Sequence, residues 1–65
     1  MNDGAYILKK DMNLPFGISF KGGKEIVVAN GVICIDGYPL PPEMQLGLME
    51  WLINNKMYLV KTKSW

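Results

Sequence analysis

The stretch EIVVANGVICID, Glu25 to Asp36, sets two runs rich in β-branched residues on either side of Asn30-Gly31. Asn-Gly readily supplies the positive φ angles of a two-residue type I′ turn, so the stretch predicts a β-hairpin with strands 25–29 and 32–36. Such a turn also sets the register. Ala29 then faces Val32, Val28 faces Ile33, Val27 faces Cys34, Ile26 faces Ile35, and Glu25 faces Asp36. Alternation puts Ile26, Val28, Ile33 and Ile35 on one face and Val27, Ala29, Val32 and Cys34 on the other. The isoleucine face is bulkier and is assigned to the core. The second face is small but hardly polar, whereas a half-buried antiparallel sheet normally turns polar residues to water.

Upstream, AYILK (5–9) reads as a short strand, KDMNLP as a connection, and FGISF (16–20) as a second strand. KGGK (21–24) then reads as a tight hairpin, whose loop length decides which face Phe16, Ile18 and Phe20 join. Downstream, DGYPLPPE (36–43) leads into a helix that starts at Pro41 or Pro42 and runs to Asn54 or Asn55, with asparagine as a left-handed stop. MYLVKTK (57–63) is the closing strand, its edge guarded by Lys61 and Lys63. The lengths allow the helix to serve as a crossover from the fourth strand to a parallel last strand. The expected fold class is α+β: an antiparallel β-meander of three to four strands, one helix packed on one face and a C-terminal closing strand, in a single small domain spanning 1–65.

The helix carries more apolar surface than one sheet can cover. At about 100° per residue, Met44, Leu48, Trp51 and Leu52 form one stripe, and Leu46, Met49 and Ile53 form a second. Gln45 interrupts between them, and Glu43, Gly47, Glu50 and Asn54 share a polar strip. The apolar arc covers roughly 220°, where a helix lying on one sheet needs little more than about 100°. Either the N-terminal segment or the 36–42 loop folds over the second stripe, or another polypeptide does. Gly47 weakens the helix and leaves room for a close backbone approach.

Composition narrows the function classes. With 65 residues, one cysteine and no histidine, neither an internal disulfide nor an ordinary zinc site is expected to staple the fold. No metal or cofactor is expected. A partner subunit is the remaining staple. The net charge of +1 lacks the basic excess of a strong non-specific nucleic-acid binder. A free thiol, no visible export signal and no apolar run long enough to span a bilayer suggest a cytoplasmic setting without membrane attachment.

Each chemical motif also has a plainer reading. Glu25 opposite Asp36 suggests a cation site or a contact for a basic partner, but a lysine such as Lys24, Lys21 or Lys9 neutralises such pairs more often. Cys34 in mid-strand reads as a buried small hydrophobe rather than a nucleophile, because no histidine exists to activate it. Pro39 to Pro42 has the spacing of a polyproline ligand, yet Pro42 already suits the start of a helix. Lys56, Tyr58, Lys61 and Lys63, with Trp65, interleave cations and aromatics as a single-strand nucleic-acid binder does. Lys9, Lys10, Lys21 and Lys24 would extend that patch. The preferred expectation is a non-enzymatic protein-interaction module, a homodimer or a binder of a target protein, anchored by Leu46, Met49, Ile53 and Trp65. A small inhibitor or adaptor carried by a phage or mobile element would be one instance. The alternative is a small nucleic-acid-binding module using Lys56, Tyr58, Lys61 and Lys63.

Overall fold

A computed structural model describes residues 1–65. The chain order is β1 (Gly4–Leu8), β2 (Met12–Asn13), a 3-10 turn (Pro15–Gly17), β3 (Ser19–Phe20), β4 (Glu25–Ala29), β5 (Val32–Ile35), β6 (Tyr38–Pro39), α1 (Pro42–Asn54), a second 3-10 turn (Lys56–Tyr58) and β7 (Leu59–Ser64). Five strands form one sheet in the order β6-β5-β4-β1-β7, and β2 and β3 form a separate two-stranded ribbon. Every pairing is antiparallel. The fold is therefore α+β with one helix and a closing C-terminal strand, as expected, but the sheet has five strands, slightly more than the expected three to four.

The central hairpin follows the predicted register: Val27 pairs with Cys34, Val28 with Ile33 and Ala29 with Val32. Asn30 (φ 52°) and Gly31 (φ 75°) make the type I′ turn. The Asp3 carboxylate clasps that turn, accepting hydrogen bonds from the Asn30 and Gly31 N–H groups at 2.8 and 3.1 Å. The additional strand, β6, comes from Asp36-Gly37. Both residues have positive φ and form a second two-residue turn, so Ile35 pairs with Tyr38.

Three expectations about strands are corrected. Residues 16–20 are not a strand. Pro15 starts a 3-10 turn, Phe16 lies in the left-handed region (φ 65°, ψ 26°), and only Ser19–Phe20 pair, with Met12–Asn13. The strand beside β4 is therefore β1, with Tyr6 opposite Ile26 and Ile7 opposite Glu25. The last strand is not parallel to Val32–Ile35 (β5), the strand from which the crossover is expected. It pairs antiparallel with β1 at the far edge, so α1 carries the chain from one side of the sheet to the other. A helix of 13 residues is about 20 Å long, close to the ~19 Å width of five strands.

The core lies between α1 and the Ile26 face. It comprises Tyr6, Leu8, Leu14, Ile26, Val28, Ile33, Leu48, Leu52 and Leu59. Ile26, Val28 and Ile33 are buried as predicted, while Ile35 is only half-buried against them. Gln45 does not interrupt the apolar face but belongs to the buried side of the helix. Its side chain accepts a hydrogen bond from Ile33 N–H (2.8 Å) and donates to the carbonyls of Ile33 and Leu40 (both 3.0 Å). Pro41 and Pro42 supply the N-cap and first position of the helix. At the other end Asn55 is not left-handed (φ −117°); its Nδ2 donates to the Trp51 carbonyl instead, and a 3-10 turn follows.

Candidate partner interface

Strand pairing decides what the second face of the sheet contains. Val27 stands beside Ala5 on one side and Cys34 on the other, and Ile7 stands beside Val60. Alternation then groups Ala5, Ile7, Val27, Ala29, Val32, Cys34 and Val60 on the face opposite the core, together with the charged Glu25 and Lys63. None of these residues belongs to the core cluster, which joins the other face of the sheet to Leu48 and Leu52 of the helix and to Leu14, with Met12 and Phe20 of the ribbon packed against it. Ala5 is buried, Ile7, Val27, Ala29 and Cys34 are half-buried, and Val32 and Val60 are exposed. One five-stranded sheet thus has a packed apolar face and a second, largely apolar face that no helix covers. Cys34 lies on this second face, half-buried rather than in the core, as its alternation partner Val27 requires.

The helix stripe divides. Met49 is half-buried and packs on the core, with Met1 nitrogen 3.9 Å from its sulfur. Leu46 is 78% exposed and Ile53 45%. Trp65, beyond the end of β7, is 60% exposed. The chain therefore covers one of the three residues of the second stripe and leaves two open. On the opposite flank of the helix, the Phe16 ring lies directly over Gly47, a close approach that the missing side chain allows.

Charges segregate along the sheet. Lys24 grips Asp36 through both carboxylate oxygens (2.7 and 2.8 Å), and Lys21 lies 3.9 Å from Asp11. Glu25 and Asp36 do not form the expected facing pair: Asp36 is bent into the turn toward Lys24, and Glu25 stands beside Ile7. The other five lysines, Lys9, Lys10, Lys56, Lys61 and Lys63, have no acidic partner. They follow the β1–β7 edge, where Lys9 N–H donates to the Tyr58 carbonyl (2.8 Å). Lys10 lies 4.2 Å from the centre of the half-buried Tyr58 ring, and Lys61 lies 5.6 Å from that of Tyr6. The four residues of the nucleic-acid alternative lie along this edge, with Lys61 and Lys63 on opposite faces of it, and one face of Tyr58 already carries a lysine from its own chain.

No three Cys, Asp or Glu side chains converge into a metal-binding group. A shallow hollow of about 350 Å³ is lined by Asp11, Met12, Asn13, Ser19, Phe20 and Lys21. Its Ser19 hydroxyl donates to the Asn13 side-chain carbonyl oxygen (2.8 Å). The helix is not long and apolar enough to cross a membrane. Ile7 and Val60 were not singled out from the sequence, because β1 and β7 join the open face only through long-range pairing. The β6 strand did have a local signal, since Asp-Gly is as strong a hairpin dipeptide as Asn-Gly. No protein-family model matches the chain, and no curated protein or solved structure is significantly similar to it.

Proposed function

We propose that this chain is a non-enzymatic protein-interaction module, acting by self-association, by binding a target protein, or both. The observation that carries the reading is the second apolar face of the sheet, centred on Ile7, Val27, Cys34 and Val60 and left uncovered by the helix. Antiparallel sheets with one solvated face present polar side chains there. Apart from Glu25, beside Ile7, and Lys63, beside Ala5, this one presents apolar side chains there, and an exposed apolar patch marks a contact surface. Exposed Leu46 and Ile53 on the helix add a second apolar site, and Trp65 a third.

The test is photo-crosslinking in living cells, with a photoreactive residue at Val32, at Leu46, and at Lys21 as an exposed control on the ribbon. Discrete adducts from Val32 or Leu46, absent from Lys21, are expected. Their mass separates a second copy of the chain from another protein. Equal, diffuse labelling at all three positions, or none, overturns the reading.

A further inference from the structure

The two edges of the sheet are built differently. Strand β6 is two residues long and ends in Pro39, which has no N–H to donate; Pro41 and Pro42 follow, and the Gln45 amide fills the space beyond. That edge is closed to further pairing. Strand β7 is six residues long, contains no proline, and pairs only with β1. Its outer row of N–H and C=O groups has no partner within the chain. A register shift between Ala5 and Tyr6 sets Lys61 opposite Tyr6, on the helix side, and Lys63 opposite Ala5, on the open side. One cation therefore stands on each face of this edge, and neither has an acidic partner.

We infer that β7 is a docking edge for an extended acidic segment of another protein, which adds to the sheet as a sixth strand. This rests on the proposed interaction role and names its chemistry. Backbone pairing along β7 supplies the attachment, and Lys61 and Lys63 select sign. The same lysines disfavour a second copy at this edge. Two β7 strands laid antiparallel in a register centred on Lys61 or on Lys63 would set two lysines side by side, and like charges on neighbouring strands repel. An acidic strand reverses the sign of those contacts and adds attraction to the unpaired lysines Lys9, Lys10 and Lys56 farther along the edge. Val60, 45% exposed on the open face, and Trp65 offer apolar contact to the side chains of the added strand.

The experiment titrates isotopically labelled protein with short blocked peptides of valine and threonine. One set carries glutamates, a second carries lysines at the same positions, and a third keeps the glutamates but has a central proline that breaks the ladder. The acidic peptide is expected to shift the amides of Leu59–Ser64 and to bind about tenfold tighter than the other two. The double variant Lys61→Glu, Lys63→Glu, with both changes at exposed positions, is expected to reverse the preference toward the lysine peptide. Equal binding of the three peptides, or no binding, overturns the inference. So does tighter binding of an oligothymidylate, which would make the edge a nucleic-acid surface. The crosslinking at Val32 and Leu46 reads a different face, so failure at β7 is distinguishable from failure of the interaction role.

Discussion

The side-chain amide of Gln45 sits between Ile33 and Leu40 and satisfies three backbone groups at once. Beyond β6 the Leu40 N–H still donates to the Ile33 carbonyl (3.0 Å), but the chain turns into the helix at Pro41 before the reciprocal bond can form. Gln45 reaches back from the first turn and bridges the Ile33 N–H and the Leu40 carbonyl in its place. Gln45→Leu keeps volume and helix propensity but leaves the Ile33 N–H unpaired in a half-buried place. We expect a loss of about 2–3 kcal/mol in denaturant-induced unfolding. A loss comparable to that of an ordinary surface substitution would mean that this bridge does not hold the helix to the sheet.

Gly4 faces the β7 backbone so closely that a methyl group there would overlap the Lys63 carbonyl. Gly4→Ala must move β7 away from β1, because the obstacle is backbone rather than a mobile side chain. The expected cost is about 1–3 kcal/mol, as for other overpacked sites. Hydrogen exchange should show the amides of Lys61–Ser64 losing protection while those of β4 and β5 keep it.

Phe16 and Gly47 form a pair whose substitutions should not add. A Cβ at position 47 would lie 2.9 Å from the Phe16 Cζ, and Phe16 itself holds a left-handed φ of 65°. Gly47→Ala alone is expected to be nearly neutral, since a helix-propensity gain of about 1 kcal/mol is offset by displacing the ring. In a Phe16→Gly background the ring is gone and the left-handed site suits the residue, so Gly47→Ala should stabilise by about that full amount. A double-mutant cycle by thermal or chemical unfolding reads the difference.

The two faces of the helix should respond oppositely. Leu52 is fully buried and Leu46 is 78% exposed. Leu52→Ala is expected to cost about 2–5 kcal/mol, whereas Leu46→Ala should change monomer stability by less than about 0.5 kcal/mol. If Leu46 lies in a self-association contact, wild-type stability will rise with protein concentration and the Leu46→Ala variant will lose that dependence.

What the sequence determined by itself was local. Asn30-Gly31 can reach left-handed dihedrals cheaply, so its hairpin, register and inward Ile26, Val28 and Ile33 were legible without coordinates. Pro42 and the apolar spacing from Leu48 to Leu52 placed the helix for the same reason. The candidate interface was legible in half: the bare apolar quality of Val27, Ala29 and Val32 shows in alternation alone. Tertiary structure decided the rest. That β1 stands between β4 and β7, bringing Ile7 and Val60 to the open face, depends on pairings across 18 to 60 residues of chain. It also decided that Pro15–Gly17 form a 3-10 turn that sets Phe16 beside Gly47, and that Gln45 turns inward to meet an unfinished ladder. Propensity acts over a few residues, whereas these choices follow from which arrangement buries the Leu8, Leu14, Leu48 and Leu52 cluster together, a property of the whole chain.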